Sequence, residues 1–205
     1  MTRFLVAILA ALSLTACAGT GGGLGTGGYG LVRVKEQDVG SGRMHVTPPR
    51  EWSRMSSRIL TDVRAVEDWT LNGPYLDTLS FVTGLKDGKN LVWQQKRDTR
   101  QVPPFEAGMT APEVAAMLET FYRTRTGTID FRTLELKPRT WMGTPGFQFD
   151  FEHLDGDELW RQGRAVGAEI DGRLYLVLLD AERSHYFGEA LPDFEAIVES
   201  ARLTP

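Results

Sequence analysis

A chain of 205 residues with one cysteine and three histidines holds few groups capable of covalent or metal chemistry. The single thiol, Cys17, stands at the end of an apolar run rather than among other reactive side chains. A thiolate is the nucleophile of the side-chain set, so Cys17 is the one residue whose setting points to a modification. A zinc site built without a free cysteine needs two or three imidazoles to converge. His45, His153 and His185 lie far apart, with no i, i+4 pair and no HExxH, so no metal is expected. Ser184 and His185 are sequence neighbours, which does not aim a hydroxyl at an imidazole, and G-x-S-x-G is absent. Residues 152–158 (EHLDGDE) are the densest acidic stretch. They lack the twelve-residue span of a calcium loop closed by a bidentate Glu and read as a solvated hairpin tip. No carboxylate pair is distinguishable as acid and base. No catalytic residue is nominated, no cofactor is implied, and a non-enzymatic protein is expected.

The setting of Cys17 carries more information. Residues 1–3 are short and positive, and residues 4–14 (FLVAILAALSL) are uncharged and apolar. Such a run is too short to span a bilayer, which takes about 20 helical residues, but it suits the hydrophobic region of a signal peptide. Thr15 and Ala16 are the small residues a signal peptidase needs. Leu14-Thr15-Ala16-Cys17 resembles the lipobox of bacterial lipoproteins. The resemblance implies cleavage between Ala16 and Cys17 and a palmitate-type lipid on the Cys17 thiol. Two or three acyl chains give stable membrane anchoring where one does not. In enteric bacteria an aspartate after the cysteine retains such proteins at the inner membrane. Ala18 stands there instead, so the resemblance implies the outer membrane, facing the periplasm. The chain divides into a signal peptide (1–16), a lipidated cysteine with a tether (17–30), and one domain (31–205).

A net charge of −4, with acids and bases well mixed, argues against nucleic acid, which requires clustered Lys and Arg. With Cys17 committed to lipid, no disulfide can form within the chain, so packing alone must stabilise the domain. Residues 18–30 contain eight glycines, including a formal Gly25-x-Gly27-x-x-Gly30 match to the dinucleotide fingerprint. That motif has meaning only between a strand and a helix. Here it reads as a flexible tether with a reach of roughly 20 Å.

The elements follow from periodicity and punctuation. Residues 32–35 and 44–47 read as strands joined by a turn at Gly40-Ser41-Gly42, stopped by Pro48-Pro49 and followed by Trp52. Residues 66–71 and 76–83 are strands split by Asn72-Gly73-Pro74, and Asp87-Gly88 turns the chain into a strand at 91–93. Thr110-Ala111-Pro112-Glu113 is a capping box, after which Val114, Met117, Leu118 and Phe121 recur at helical spacing, with Gly127 as a stop. Three strands follow. Phe131, Leu134 and Leu136 lie in the first. In the second, Phe147, Phe149 and Phe151 alternate with Gln148, Asp150 and Glu152, as in a half-buried strand. The third, 159–170, turns at Asp171-Gly172 into 174–179 (LYLVLL), which has no alternation and belongs in the centre of a sheet. Asp193 is the expected cap of a last helix.

This order is α+β: an antiparallel meander with a mid-chain helix and a C-terminal helix. The opening hairpin, the Trp after a proline stop, the helix, the meander and a final helix ending in Glu199-Ser200-Ala201 resemble the Mog1/PsbP-like group. A cystatin/NTF2-like curved sheet is the alternative. The group's members are mostly non-catalytic helpers and binding modules, so the resemblance implies a binding role and transfers no site residue. Five tryptophans (52, 69, 93, 141, 160) are the one compositional excess. They read as core, with Trp141, between Pro138 and Pro145, as the candidate for an exposed ligand-binding aromatic. The functional expectation is an anchored envelope module with a protein partner. A carrier of an apolar ligand would instead show an open cavity between the sheet and the Thr110 helix, and an enzyme a cleft with converging His and carboxylates.

Overall fold

The LYLVLL run sits where a strand without alternation has to sit, in the middle of a sheet covered on both faces. The computed structural model of the chain describes residues 28–40, 43–55, 66–92, 94 and 101–204. Its strands are β1 (Tyr29–Val32), β2 (Gln37–Val39), β3 (Met44–Val46), β4 (Trp52–Met55), β5 (Val66–Thr70), β6 (Asp77–Lys86), β7 (Asp130–Trp141), β8 (Thr144–Leu154), β9 (Trp160–Ile170), β10 (Arg173–Glu182) and β11 (Arg202–Leu203). Helix α1 (Ala111–Arg125) falls between β6 and β7, and α2 (Tyr186–Ser200) follows β10. Eight strands form one antiparallel sheet in the order β1-β4-β5-β6-β10-β9-β8-β7, and β11-β3-β2 form a second, small one.

Side chains alternate across a strand, so each strand feeds two cores. On one face Phe147, Phe149, Phe151, Leu176 and Leu178 pack under Val114, Met117, Leu118 and Tyr122 of α1. On the other, Trp69, Leu79, Phe81, Val177 and Leu179 pack under Phe194, Ile197 and Val198 of α2, with Val39, Met44 and Val46 of the small sheet. Both helices cover the sheet, one on each side. Helix α1 begins as anticipated, with the Glu113 carboxylate accepting from the main-chain N and the hydroxyl of Thr110, each at 2.7 Å.

Glycines in β9 make room for aromatics in β8. Gly163 pairs with Phe151 and Gly167 with Phe147. A Cβ on Gly163 would lie 2.2 Å from the Phe151 ring, and one on Gly167 would lie 2.1 Å from Leu176. The rings therefore lie across a strand that lacks side chains at those positions.

Several expectations are corrected. Val32 ends β1, and its first residues, Tyr29 and Gly30, belong to the stretch read as tether, because they pair with Met55 and Arg54 of β4. Residues 91–92 are buried without forming a strand, and Trp93 lies outside the described residues. Strand β8 is not half-buried: Gln148 and Asp150 are also covered, because Arg164 and Arg139 bring hydrogen-bond partners over them. Asp193 caps nothing. The helix starts at Tyr186, burying Phe187 and Ala190, and carries Pro192 inside it; Asp193 pairs with Arg50.

Candidate functional site

Helix α1 is shorter than the sheet it covers, and the gap past its end is the candidate site. Thr126 stops the helix: its N–H and its hydroxyl both donate to the Tyr122 carbonyl, each at 2.9 Å. Gly127 follows with φ +66°, the left-handed conformation that turns the chain away. Beyond that point none of the described residues covers the sheet, and a cleft of about 270 Å³ remains. Its floor is Asp68 of β5, Thr78 and Ser80 of β6, Arg161 of β9 and Asp180 of β10; Phe121, Tyr122 and Thr126 form the helix side. Met55, Val66 and Pro74 add apolar wall, and Tyr75, Asp155 and Asp157 form the rim.

On the floor Arg161 is matched to Asp180. Arg161 donates from Nε to Asp180 Oδ1 at 3.0 Å, from Nη2 to the Asp180 carbonyl at 3.0 Å, and from Nη1 to the Tyr75 carbonyl at 2.7 Å. His153 Nε2 meets the same Asp180 Oδ1 at 3.1 Å, and its Nδ1 meets the Thr128 hydroxyl at 3.0 Å. Thr128 in turn contacts the Thr126 hydroxyl at 2.6 Å. Burial by itself raises the Asp180 pKa, but the Arg161 charge and the His153 hydrogen bond outweigh it and hold the carboxyl below its ordinary range. Ionised Asp180 only accepts, so His153 carries a proton on Nε2.

Tyr122 is the group this network leaves over. It is 4% exposed, lies 4.9 Å from the His153 ring (centroid to centroid) and lines the cleft. No hydrogen bond to its hydroxyl is present among the described residues. Burial, then the negative charge of Asp180, pushes its pKa well above the ordinary tyrosine value. The hydroxyl therefore keeps its proton and is a donor at the wall of the cleft.

The residues singled out in the sequence lie elsewhere. Ala16, Cys17 and the tether up to residue 27 fall outside the described residues. Trp141 is a correction: it is 4% exposed, at the end of a β7–β8 hairpin whose two turn residues, Met142 and Gly143, have φ 48° and 76°. Its indole packs in the α2 core and donates to the Val198 carbonyl at 2.8 Å. The two prolines suggested a loop, but Pro138 sits on an edge strand, where a missing N–H costs no ladder bond. Trp52 and Trp69 are core, and Trp160 is stacked between Arg132 and Arg183. The histidines go to separate places: His45 to Asp38 and Thr204, His153 to the buried network, and His185 to the exposed start of α2. The acidic tip is a turn in which Asp155 Oδ1 accepts from the N–H groups of Asp157 and Leu159. Sequence reasoning missed Tyr122, Arg161 and Asp180. The one available signal was Asp180 closing an apolar run, since a charge on a central strand needs a partner.

The sequence matches no protein-family profile and no curated protein. Its fold has solved counterparts. The chain is similar to the solution structure of cyanobacterial PsbP (CyanoP) from Synechocystis sp. PCC 6803, with TM-score 0.52 and 16% identity, covering 91% of this chain and 99% of that one. It is similar to the Ran-binding protein Mog1p of Saccharomyces cerevisiae, with TM-score 0.48 and 10% identity, covering 82% and 94%. It is also similar to LpqN, described as involved in cell envelope biogenesis of Mycobacterium tuberculosis, with TM-score 0.42 and 13% identity, covering 86% and 92%. At such identities the shared property is the fold, an α+β architecture of the PsbP/Mog1 type.

Proposed function

We propose that this protein is a lipid-anchored, non-catalytic binding module of the bacterial cell envelope. Cys17 holds it to a membrane, the outer membrane facing the periplasm, and the cleft beyond α1 receives a group from an envelope protein partner. The observation that supports the binding role is the Tyr122 hydroxyl, a protonated donor that lines the cleft with no hydrogen bond from the described residues. A ligand acceptor placed there, with an apolar stem against Phe121 and Val66, completes the site.

The same geometry supports binding over catalysis. His153 is 0% exposed and stands behind Asp180, so its imidazole does not reach a ligand in the cleft. Asp180 is committed to Arg161, and Tyr122 holds its proton at neutral pH. The carrier alternative expects an open apolar cavity between the sheet and α1; Phe131, Phe149, Phe151 and Met117 fill much of that space, while the cleft beside Phe121 and Tyr122 stays open.

The test is a photo-reactive amino acid in place of Tyr75, which is 79% exposed on the rim, followed by cross-linking in intact cells. One dominant envelope companion is expected, lost on Tyr122→Phe and lost when Cys17→Ser releases the protein from the membrane. No companion, or one indifferent to Tyr122→Phe, would sink the proposal.

A further inference from the structure

Strand β1 carries two of its three large apolar side chains on the outside. Strand β1 is the outermost strand of the large sheet, bonded to β4 and to nothing on its other edge among the described residues. Val32 points into the α2 core at 1% exposure, whereas Tyr29 and Leu31, on the opposite face, are 53% and 61% exposed. Val34, just past the strand, is 56% exposed. Arg33 and Lys35 flank Val34 and are exposed, with no ion pair among the described residues. The neighbouring acids are occupied: Glu36 pairs with Arg202, and Asp38 bonds His45. The far edge of the sheet is built differently. Strand β7 carries Pro138, a register shift between Thr133 and Glu135, and a Lys137–Glu135 pair, the features that keep an edge in water.

We infer that the outer edge of β1, with Tyr29, Leu31, Val34, Arg33 and Lys35, docks on the surface of a bilayer containing anionic lipid. This rests on the reading of Cys17 as the lipid anchor. The occupant follows from chain length: twelve peptide links separate Tyr29 from Cys17, a span of at most about 42 Å even when fully extended. The first strand therefore starts within that distance of the membrane. Attachment at Cys17 keeps the strand near the membrane surface, so contacts too weak for a free protein suffice. Tyrosine suits the headgroup level, Leu and Val suit the shallow apolar layer, and cations are attracted to anionic headgroups. Phosphate oxygens can accept from the unpaired N–H groups of the strand edge. Tyr29 pairs with Met55, which lines the cleft, so docking also places the cleft close to the membrane.

The experiment uses the mature lipidated protein in vesicles of phosphatidylethanolamine and phosphatidylglycerol. With Cys17 blocked by lipid, Leu31→Cys supplies a single free thiol for a nitroxide, and Lys137→Cys on the opposite edge is the reference. Docking predicts that the label at 31 loses accessibility to aqueous nickel and gains accessibility to oxygen, while the label at 137 stays aqueous. Substituting Tyr29→Asp and Val34→Asp beside Leu31→Cys should return the label to water. Equal nickel accessibility at both positions on a lipidated protein would overturn the docking and leave the anchor standing. An intact mass showing Cys17 without lipid would overturn both. Spin–spin broadening at position 31 in vesicles would also overturn the docking, showing β1 paired to β1 of a second copy.

Discussion

Arg161 of β9 reaches diagonally to Asp180 of β10, whose direct partner is Gly163, and bonds it twice: Nε reaches Oδ1 at 3.0 Å, and Nη2 reaches the carbonyl of the same aspartate at 3.0 Å. The pair is both the floor of the cleft and a buried charge balance. Breaking such a balance by removing one partner costs more than replacing both. Asp180→Asn, which leaves the guanidinium buried and unmatched, should lower stability by about 3 kcal/mol. The double change Arg161→Met with Asp180→Leu should recover most of that loss. Urea unfolding of the three variants measures both.

Acid should weaken the fold through the same carboxylate and through one on the opposite face. Burial raises the pKa of both Asp180 and Glu195, but the charge and bonding of Arg161 and His153 outweigh it for Asp180, and bonds from Arg139 and Arg164 outweigh it for Glu195. Both sit below their ordinary values when folded. Their contribution is therefore complete above the unfolded carboxylate range, about pH 4, and is lost as pH falls through the folded values. Thermal unfolding should show a flat midpoint down to about pH 4.5 and a fall below it. Asp180→Asn should flatten that fall.

Tyr122→Phe separates stability from binding. Its hydroxyl has no bond to lose within the described protein, so the variant should lose less than the about 1 kcal/mol a bonded buried hydroxyl contributes. Capture of the partner through a cross-linker at position 75 should nevertheless fail. Chemical denaturation and cross-link yield on the same preparation read the two effects.

Trp141→Phe should do the opposite. It deletes the donor to the Val198 carbonyl, in the last turn of α2, and should cost about 1.5 kcal/mol. Cross-link yield at position 75 should stay unchanged, since Trp141 packs on the face away from the cleft.

Gly163→Ala tests the ring that lies over β9. The added Cβ would stand 2.2 Å from Phe151, and overpacking of this kind costs about 1–3 kcal/mol. A lowered melting temperature with loss of the near-ultraviolet aromatic signal is the expected result.

The elements that local chemistry dictates were legible in the chain. Thr110 to Glu113 announced the start of α1, Asp171-Gly172 announced the β9–β10 turn, and the LYLVLL run placed β10 in the middle of the sheet. These signals act between residues a few positions apart, where backbone preferences and alternation decide. Trp141 shows the limit: two nearby prolines suggested an exposed loop, while a Met142-Gly143 turn and α2 buried the ring.

The cleft belonged to the tertiary structure alone. Tyr122, His153, Arg161 and Asp180 come from four elements and meet because β8, β9 and β10 pair in register beneath the last turn of α1. Nothing local marks Arg161 or Asp180 as partners, because a charge in a strand becomes expensive, and so needs its counterpart, only after neighbouring strands have removed the water.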